Sequence, residues 1–329
     1  MRKVRVDRLK PGMVLGRTLY NERGDVLLAR EVSLTPSYIN ALRAHGFYAV
    51  YIMDGIGDDV EPPDILSDHV RIATSKHVQE LFDVVRTATA DHVGQEQPDG
   101  SQPLSTVARP QVAQLYRDVE SIIEDLANVR ILTGVGWLKT HDNYTFEHTI
   151  EVTVAGVMLG KRLRMPSHEL HQLALGCLYH DLGKLMVPPE ILNKPGPLSP
   201  DELEILQRHP QTGFELVRPI TGDSDIIARS IVRQHHERQD GTGYPACLRG
   251  SNHYDPDSRS RHHMGLIVPA AEIAAVADVY SSLVSDRPYR PALSAAEVVA
   301  ALRQMAGSHL NREIVSRFLS ILPTYPVGT

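Results

Sequence analysis

The chain has 329 residues, 42% hydrophobic and 22% charged, an ordinary globular balance at a length that suggests about two domains. Its net charge of −6 excludes a bulk nucleic-acid or anionic-membrane binder, because such a protein needs a basic face. The two cysteines, Cys177 and Cys247, offer neither a zinc spacing nor a disulfide framework, so a cytoplasmic location is expected, with no signal peptide and no membrane span.

Residues 1–54 read as a small α+β module. Apolar residues flank a turn at Asn21-Glu22-Arg23-Gly24 in the manner of a hairpin. Thr35 is placed to cap a helix with Pro36 at its first position, Gly46 ends that helix, and Phe47 to Met53 reads as a strand. Residues 55–112 are expected to be a linker. Ser67 to His92 can form an amphipathic helix that could pair with a second copy, whereas Gly94 to Pro110 is polar and proline-rich and reads as mobile.

Residues 113–325 are expected to form an all-α bundle, so the fold class is mainly α. Val112, Leu115, Val119, Ile122, Ile123 and Leu126 follow the spacing of one buried helical face. Ser199-Pro200-Asp201-Glu202 and Ser294-Ala295-Ala296-Glu297 are capping boxes, Ile226 to His236 reads as a helix, and Asn311 is placed to cap the last one.

Histidine is abundant, at 16 residues, and many of them fall between His141 and His263. His148, His180-Asp181, His209, His235-His236 and Asp278 supply five imidazoles and two carboxylates, a donor mixture that suits iron or manganese. An aspartate beside a histidine can bridge two ions, and two ions about 3.5–4 Å apart can activate a water and neutralise a phosphoryl oxygen together.

The run His180-Asp181-Leu182-Gly183-Lys184 resembles the signature of HD-superfamily phosphohydrolases, and His235-His236-Glu237-Arg238-Gln239-Asp240-Gly241-Thr242-Gly243-Tyr244-Pro245 closely resembles that of the HD-GYP subfamily. Asn143-Tyr144-Thr145 before His148, and Val276 to Tyr280 leading to Ser285-Asp286-Arg287-Pro288-Tyr289-Arg290, also fit, so the resemblance spans about two thirds of the chain, residues 115–322. It implies a cyclic di-GMP phosphodiesterase yielding linear pGpG or GMP. The implied metal ligands are His148, His180, Asp181, His209, His235, His236 and Asp278, with Asp181 bridging two divalent ions, iron or manganese. A third ion is not expected, because Tyr144 stands where some members carry a further glutamate. Lys184, Arg287 and Arg290 would bind the phosphates, since guanidinium forks suit phosphate oxygens; surface salt bridges are the plainer use of the two arginines. Tyr244 either helps to hold the two histidines in place or lies as a lip over the pocket, available to guanine or to a partner protein. The N-terminal module is the other place where a protein partner is expected.

The sequence departs from the family at three places. Ser281 stands where a second aspartate is usual, Glu272 where arginine is common, and Ser251 to His263, with His253, His262 and His263, lengthens the loop before Asp278. That extra segment reads as a surface insertion or as a flap over the pocket. Ser281 and Glu272 keep open an alternative function, a weakly active or inactive HD-GYP receptor or interaction module that binds a cyclic dinucleotide or a protein.

Overall fold

A computed structural model describes residues 1–20, 25–47, 49–53, 55, 65–90, 103–133, 144–255, 265–285 and 292–323. Strands β1 (Arg2–Arg5), β2 (Val14–Leu15), β3 (Leu19–Tyr20), β4 (Val26–Leu28) and β5 (Ala49–Met53), with helix α1 (Pro36–Ala44), make up the N-terminal module. Strand β5 is central in an antiparallel sheet of order β1-β5-β2, with Val4 opposite Val50 and Leu15 opposite Ile52, and β3 and β4 pair separately. Thr35 caps α1 by accepting from the backbone N–H of Tyr38, with Pro36 in the first turn. Val4, Val6, Leu15, Leu19, Leu34, Ile39, Leu42, Val50 and Ile52 close a small core of their own. The expected turn at 21–24 lies outside the described residues.

The remaining helices are α2 (Asp68–Ala90), α3 (Leu104–Val107), α4 (Arg109–Asp125), α5 (Tyr144–Arg162), α6 (Ser167–Tyr179), α7 (Pro189–Leu192), α8 (Pro200–Gln207), α9 (His209–Val217), α10 (Ile226–Gln234), α11 (Pro269–Val284), α12 (Ala295–Met305) and α13 (Arg312–Leu319). Ser199 and Ser294 form the two expected capping boxes, and Asn311 caps α13 through the backbone N–H groups of Glu313 and Ile314. A second, larger core joins these helices except α7 and α8, which contribute no residue to it.

Two expectations are corrected. The segment read as mobile up to Pro110 is helical in its last part, because α3 and the first turn of α4 begin within it. The apolar stripe of α2 is covered within the chain: Val78, Leu81, Phe82 and Val85 are buried in the same core as Val112, Leu115, Val119 and Ile122 of α4. His77 on α2 reaches Asp118 on α4 at 2.8 Å, and Phe82 meets Phe146 of α5 edge-on. That face is therefore not free to pair with a second copy. Among the described residues no helix is long and apolar enough to cross a membrane.

Candidate metal centre

Five helices deliver the histidines and aspartates to one place. His148 lies in the first turns of α5, and His180 and Asp181 follow the end of α6, where a 3-10 turn over Leu182–Met186 begins. His209 opens α9, and Asp278 lies on α11. Helix α10, expected to run to His236, stops at Gln234; His235 caps it and His236 leads into the glycine-rich loop. Gly183 makes the junction possible: a Cβ there would stand 2.0 Å from the carbonyl oxygen of His209 and 2.5 Å from the nitrogen of Gly213, so any side chain would push α9 away from Asp181. Gly243 serves the loop in the same way, since its Cβ would meet the backbone of residues 236–238 at 2.4 to 2.6 Å.

All seven side chains converge. The imidazole rings form a continuous set, with centroid separations of 5.5 Å from His148 to His180, 5.1 Å from His180 to His235, 4.1 Å from His235 to His236 and 5.0 Å from His209 to His236. Two groups could each hold an ion: His209, His235 and His236, and His148, His180 and Asp278, each with donor atoms within 4.8 Å of one another. Asp181 lies between them. Its Oδ1 is 3.5 Å from His209 Nε2 and 4.0 Å from His235 Nε2, while its Oδ2 is 3.3 Å from His180 Nε2.

The rings are aimed from behind. His180 Nδ1 lies 2.7 Å from the carbonyl of Cys177, His209 Nδ1 2.8 Å from that of Leu206, and His235 Nδ1 3.0 Å from that of Val232. A carbonyl only accepts, so each Nδ1 carries a proton and Nε2 is the atom that each ring directs into the cluster. Among the described residues, buried Nε2 of His180 and Oδ1 of Asp181 find no hydrogen-bond partner, an arrangement costly for polar atoms and suited to a cation. Residues, donor chemistry and orphaned atoms thus fit divalent ions.

Burial holds His148, His209, His235 and His236 below the ordinary imidazole value, His209 to about 4 and His236 to about 3, so these rings are neutral, the form that ligates metal. Burial alone would raise the carboxyl of Asp181, but the charges of His180 and Lys184 beside it hold it well below the usual range. Asp278 is likewise lowered, against its burial, by His148 at 3.1 Å.

Lys184 stands at the edge, partly exposed, with Nζ 2.6 Å from Asp181 Oδ2. The Tyr244 ring stacks on His236 at 4.8 Å and meets His209 edge-on at 6.4 Å, so it packs on the histidines. Arg287, Arg290, His262 and His263 lie outside the described residues. The described start of the extra segment is tied down: Asn252 donates from its backbone to Gln239 Oε1 and accepts from the backbone of Arg312, and Tyr254 is buried. Glu272, which stands where arginine is common, is buried and accepts from Gln239 at 2.7 Å and Asn311 at 3.0 Å, which gives it a structural task.

Sequence reading missed three carboxylate roles. Glu237 accepts from the backbone N–H groups of Ala246 and Leu248, which fastens the exit of the glycine-rich loop. Glu272 joins that loop to α13 through Gln239 and Asn311. Glu151 lies behind His148 by way of Ser281. Only Glu151 had a local signal, its position one helical turn after His148.

Such a bundle, with histidines and aspartates gathered from five helices, defines a class, and the comparisons with known proteins agree. The family described as HD domain matches residues 137–314, a little over half of the chain. The chain belongs to the HD-domain family, and the HD-GYP resemblance carried by residues 235–245 stands with it. A cyclic di-GMP phosphodiesterase of Pseudomonas aeruginosa is 35% identical over 191 residues, covering 58% of this chain and 42% of the relative. A 3'3'-cGAMP-specific phosphodiesterase of Vibrio cholerae is 33% identical over 181 residues, covering 55% and 38%. The match thus spans less than half the length of these curated relatives. Among solved structures, an HDG"Y"P protein from Bdellovibrio bacteriovorus aligns over 97% of this chain and 98% of its own, with a TM-score of 0.51 and 16% identity, a likeness of fold.

Proposed function

We propose that the chain hydrolyses the phosphodiester bonds of a cyclic dinucleotide, cyclic di-GMP, at a binuclear metal site. One observation carries the reading: Asp181 offers one carboxylate oxygen to His209 and His235 and the other to His180, between two groups of three donors. His209, His235 and His236 would hold one ion, His148, His180 and Asp278 the other, with Asp181 shared. Ions bound there supply water activation and neutralisation of phosphoryl charge, and iron or manganese suits the donors.

The protein's own groups complete the site. Nδ1–H bonds to backbone carbonyls orient the rings of His180, His209 and His235, so that Nε2 is the atom each would offer to an ion. Lys184, beside Asp181 and reachable from solvent, is placed to meet a phosphate oxygen of the substrate. Arg287 and Arg290 are proposed as further phosphate contacts. Tyr244, whose ring stacks on His236, is proposed as the residue against which a guanine would lie.

The names of the relatives support the substrate class and leave its base identity to be measured, since one is named for cyclic di-GMP and another for 3'3'-cGAMP. The receptor reading rested on Ser281 and Glu272, and both are engaged in hydrogen bonds within the fold, which weakens it. Purified protein loaded with manganese or iron is incubated with cyclic di-GMP and with 3'3'-cGAMP, and the products are separated by chromatography. Linear dinucleotide or mononucleotide from cyclic di-GMP is expected. Binding without any product would return the chain to the receptor reading.

A further inference from the structure

His148 is aimed differently from His180, His209 and His235. Its Nδ1 lies 2.9 Å from the hydroxyl of Ser281 on α11, and that hydroxyl lies 2.6 Å from Oε2 of Glu151. Glu151 belongs to α5, like His148 itself, and follows it by one turn. His148 is 5% exposed, Glu151 and Ser281 not at all, so bulk solvent does not reach the arrangement. The hydroxyl of Ser285 lies 3.3 Å from the same Glu151 oxygen and 2.7 Å from the carbonyl of Ser281.

A serine by itself leaves the direction of such a contact open. Its hydroxyl can accept from an Nδ1–H, or it can donate to a bare Nδ1 and leave the proton on Nε2, where it blocks ligation. Glu151 removes the choice. A carboxylate only accepts, so the Ser281 hydroxyl donates to it and meets His148 with a lone pair. With the proton of His148 on Nδ1, its Nε2, which lies 3.1 Å from Asp278 Oδ1, is the atom left to ligate an ion that the two side chains would share.

We propose that Glu151 is a positioning residue of the metal centre: acting through Ser281, it holds His148 in the tautomer that ligates, and so supplies from α5 the carboxylate that α11 lacks at position 281. This inference rests on the reading of the histidine and aspartate cluster as a metal site.

The test measures manganese affinity of the metal-stripped full chain, by competition with a chelating fluorophore, for wild type, Glu151→Gln, Ser281→Ala, the double variant Glu151→Gln/Ser281→Ala, and Glu151→Gln/Ser281→Asp. Each single variant is expected to weaken binding about 10-fold or more, the range typical of groups that orient a metal-bound histidine. The double variant is expected to be no weaker than either single one, because both break the same chain, and an aspartate at 281 is expected to restore affinity to within about threefold of wild type. Thermal unfolding identifies any variant that does not fold; if Glu151→Gln is one, Ser281→Ala decides. A folded Glu151→Gln or Ser281→Ala with wild-type affinity overturns the inference, and so do losses that multiply in the double variant. Wild-type protein that takes up no manganese or iron overturns the metal reading as well, which separates the two failures.

Discussion

Lys184 places its ammonium group 2.6 Å from Oδ2 of Asp181, the same oxygen that faces His180 Nε2 at 3.3 Å. A cation of the protein therefore stands beside the carboxylate that lies between the two groups of histidines, at the side of the site that solvent reaches. A dianionic substrate of the proposed kind would meet a positive charge there before it met the imidazoles.

Lys184→Ala is accordingly expected to raise KM for cyclic di-GMP while metal content stays at the wild-type level. A hydrogen bond to a charged group contributes about 1.5–3 kcal/mol, so the rise is about 10- to 100-fold. Steady-state kinetics with elemental analysis checks it. An unchanged KM would leave Lys184 as a partner of Asp181 alone.

Gly183→Ala is expected to destabilise the fold and to empty the site together. The added methyl would overlap the backbone of His209 and Gly213, which cannot yield as a flexible side chain does. Overpacking of this kind costs about 1–3 kcal/mol, and here the relief is a shift of α9 that carries His209 away from Asp181. Urea denaturation and metal content report the two effects. Normal stability with full metal content would show that the helix junction tolerates a side chain.

The metal-stripped protein is expected to lose stability as pH falls from 6.5 toward 4. Unfolded histidines take up protons near 6.5, while folded His209 waits until about 4 and folded His236 until about 3. The unfolded chain therefore binds more protons across that window, and the folded state loses ground as acidity rises. His180, raised by Asp181 despite its burial, works in the opposite direction as one ring against the lowered His148, His209, His235 and His236. Urea midpoints at pH 7, 6 and 5 after chelation test this. A flat profile would contradict neutral burial of these rings.

What the sequence made legible was local. Thr35, Ser199, Ser294 and Asn311 cap the helices they were expected to cap, because a cap is a hydrogen bond to a backbone N–H two or three residues away. The seven proposed ligands were readable from their motifs and do meet. Relations across the fold were not readable. Nothing local to Glu151 announces Ser281, which lies 130 residues on, and nothing in the composition of 55–112 shows that α2 is buried against α4. Glu272 looked like a charge reversal at the site because its hydrogen bonds to Gln239 and Asn311 come from two other segments.

The shared role of Asp181 is the centre of this account, and elemental analysis of anaerobically purified wild type and Asp181→Ala tests it most directly. Wild type is expected to carry two divalent ions per chain, and the variant to keep its helical circular dichroism while losing ions from both groups and all turnover of cyclic di-GMP. Full occupancy and wild-type turnover in Asp181→Ala would contradict a carboxylate shared between two ions.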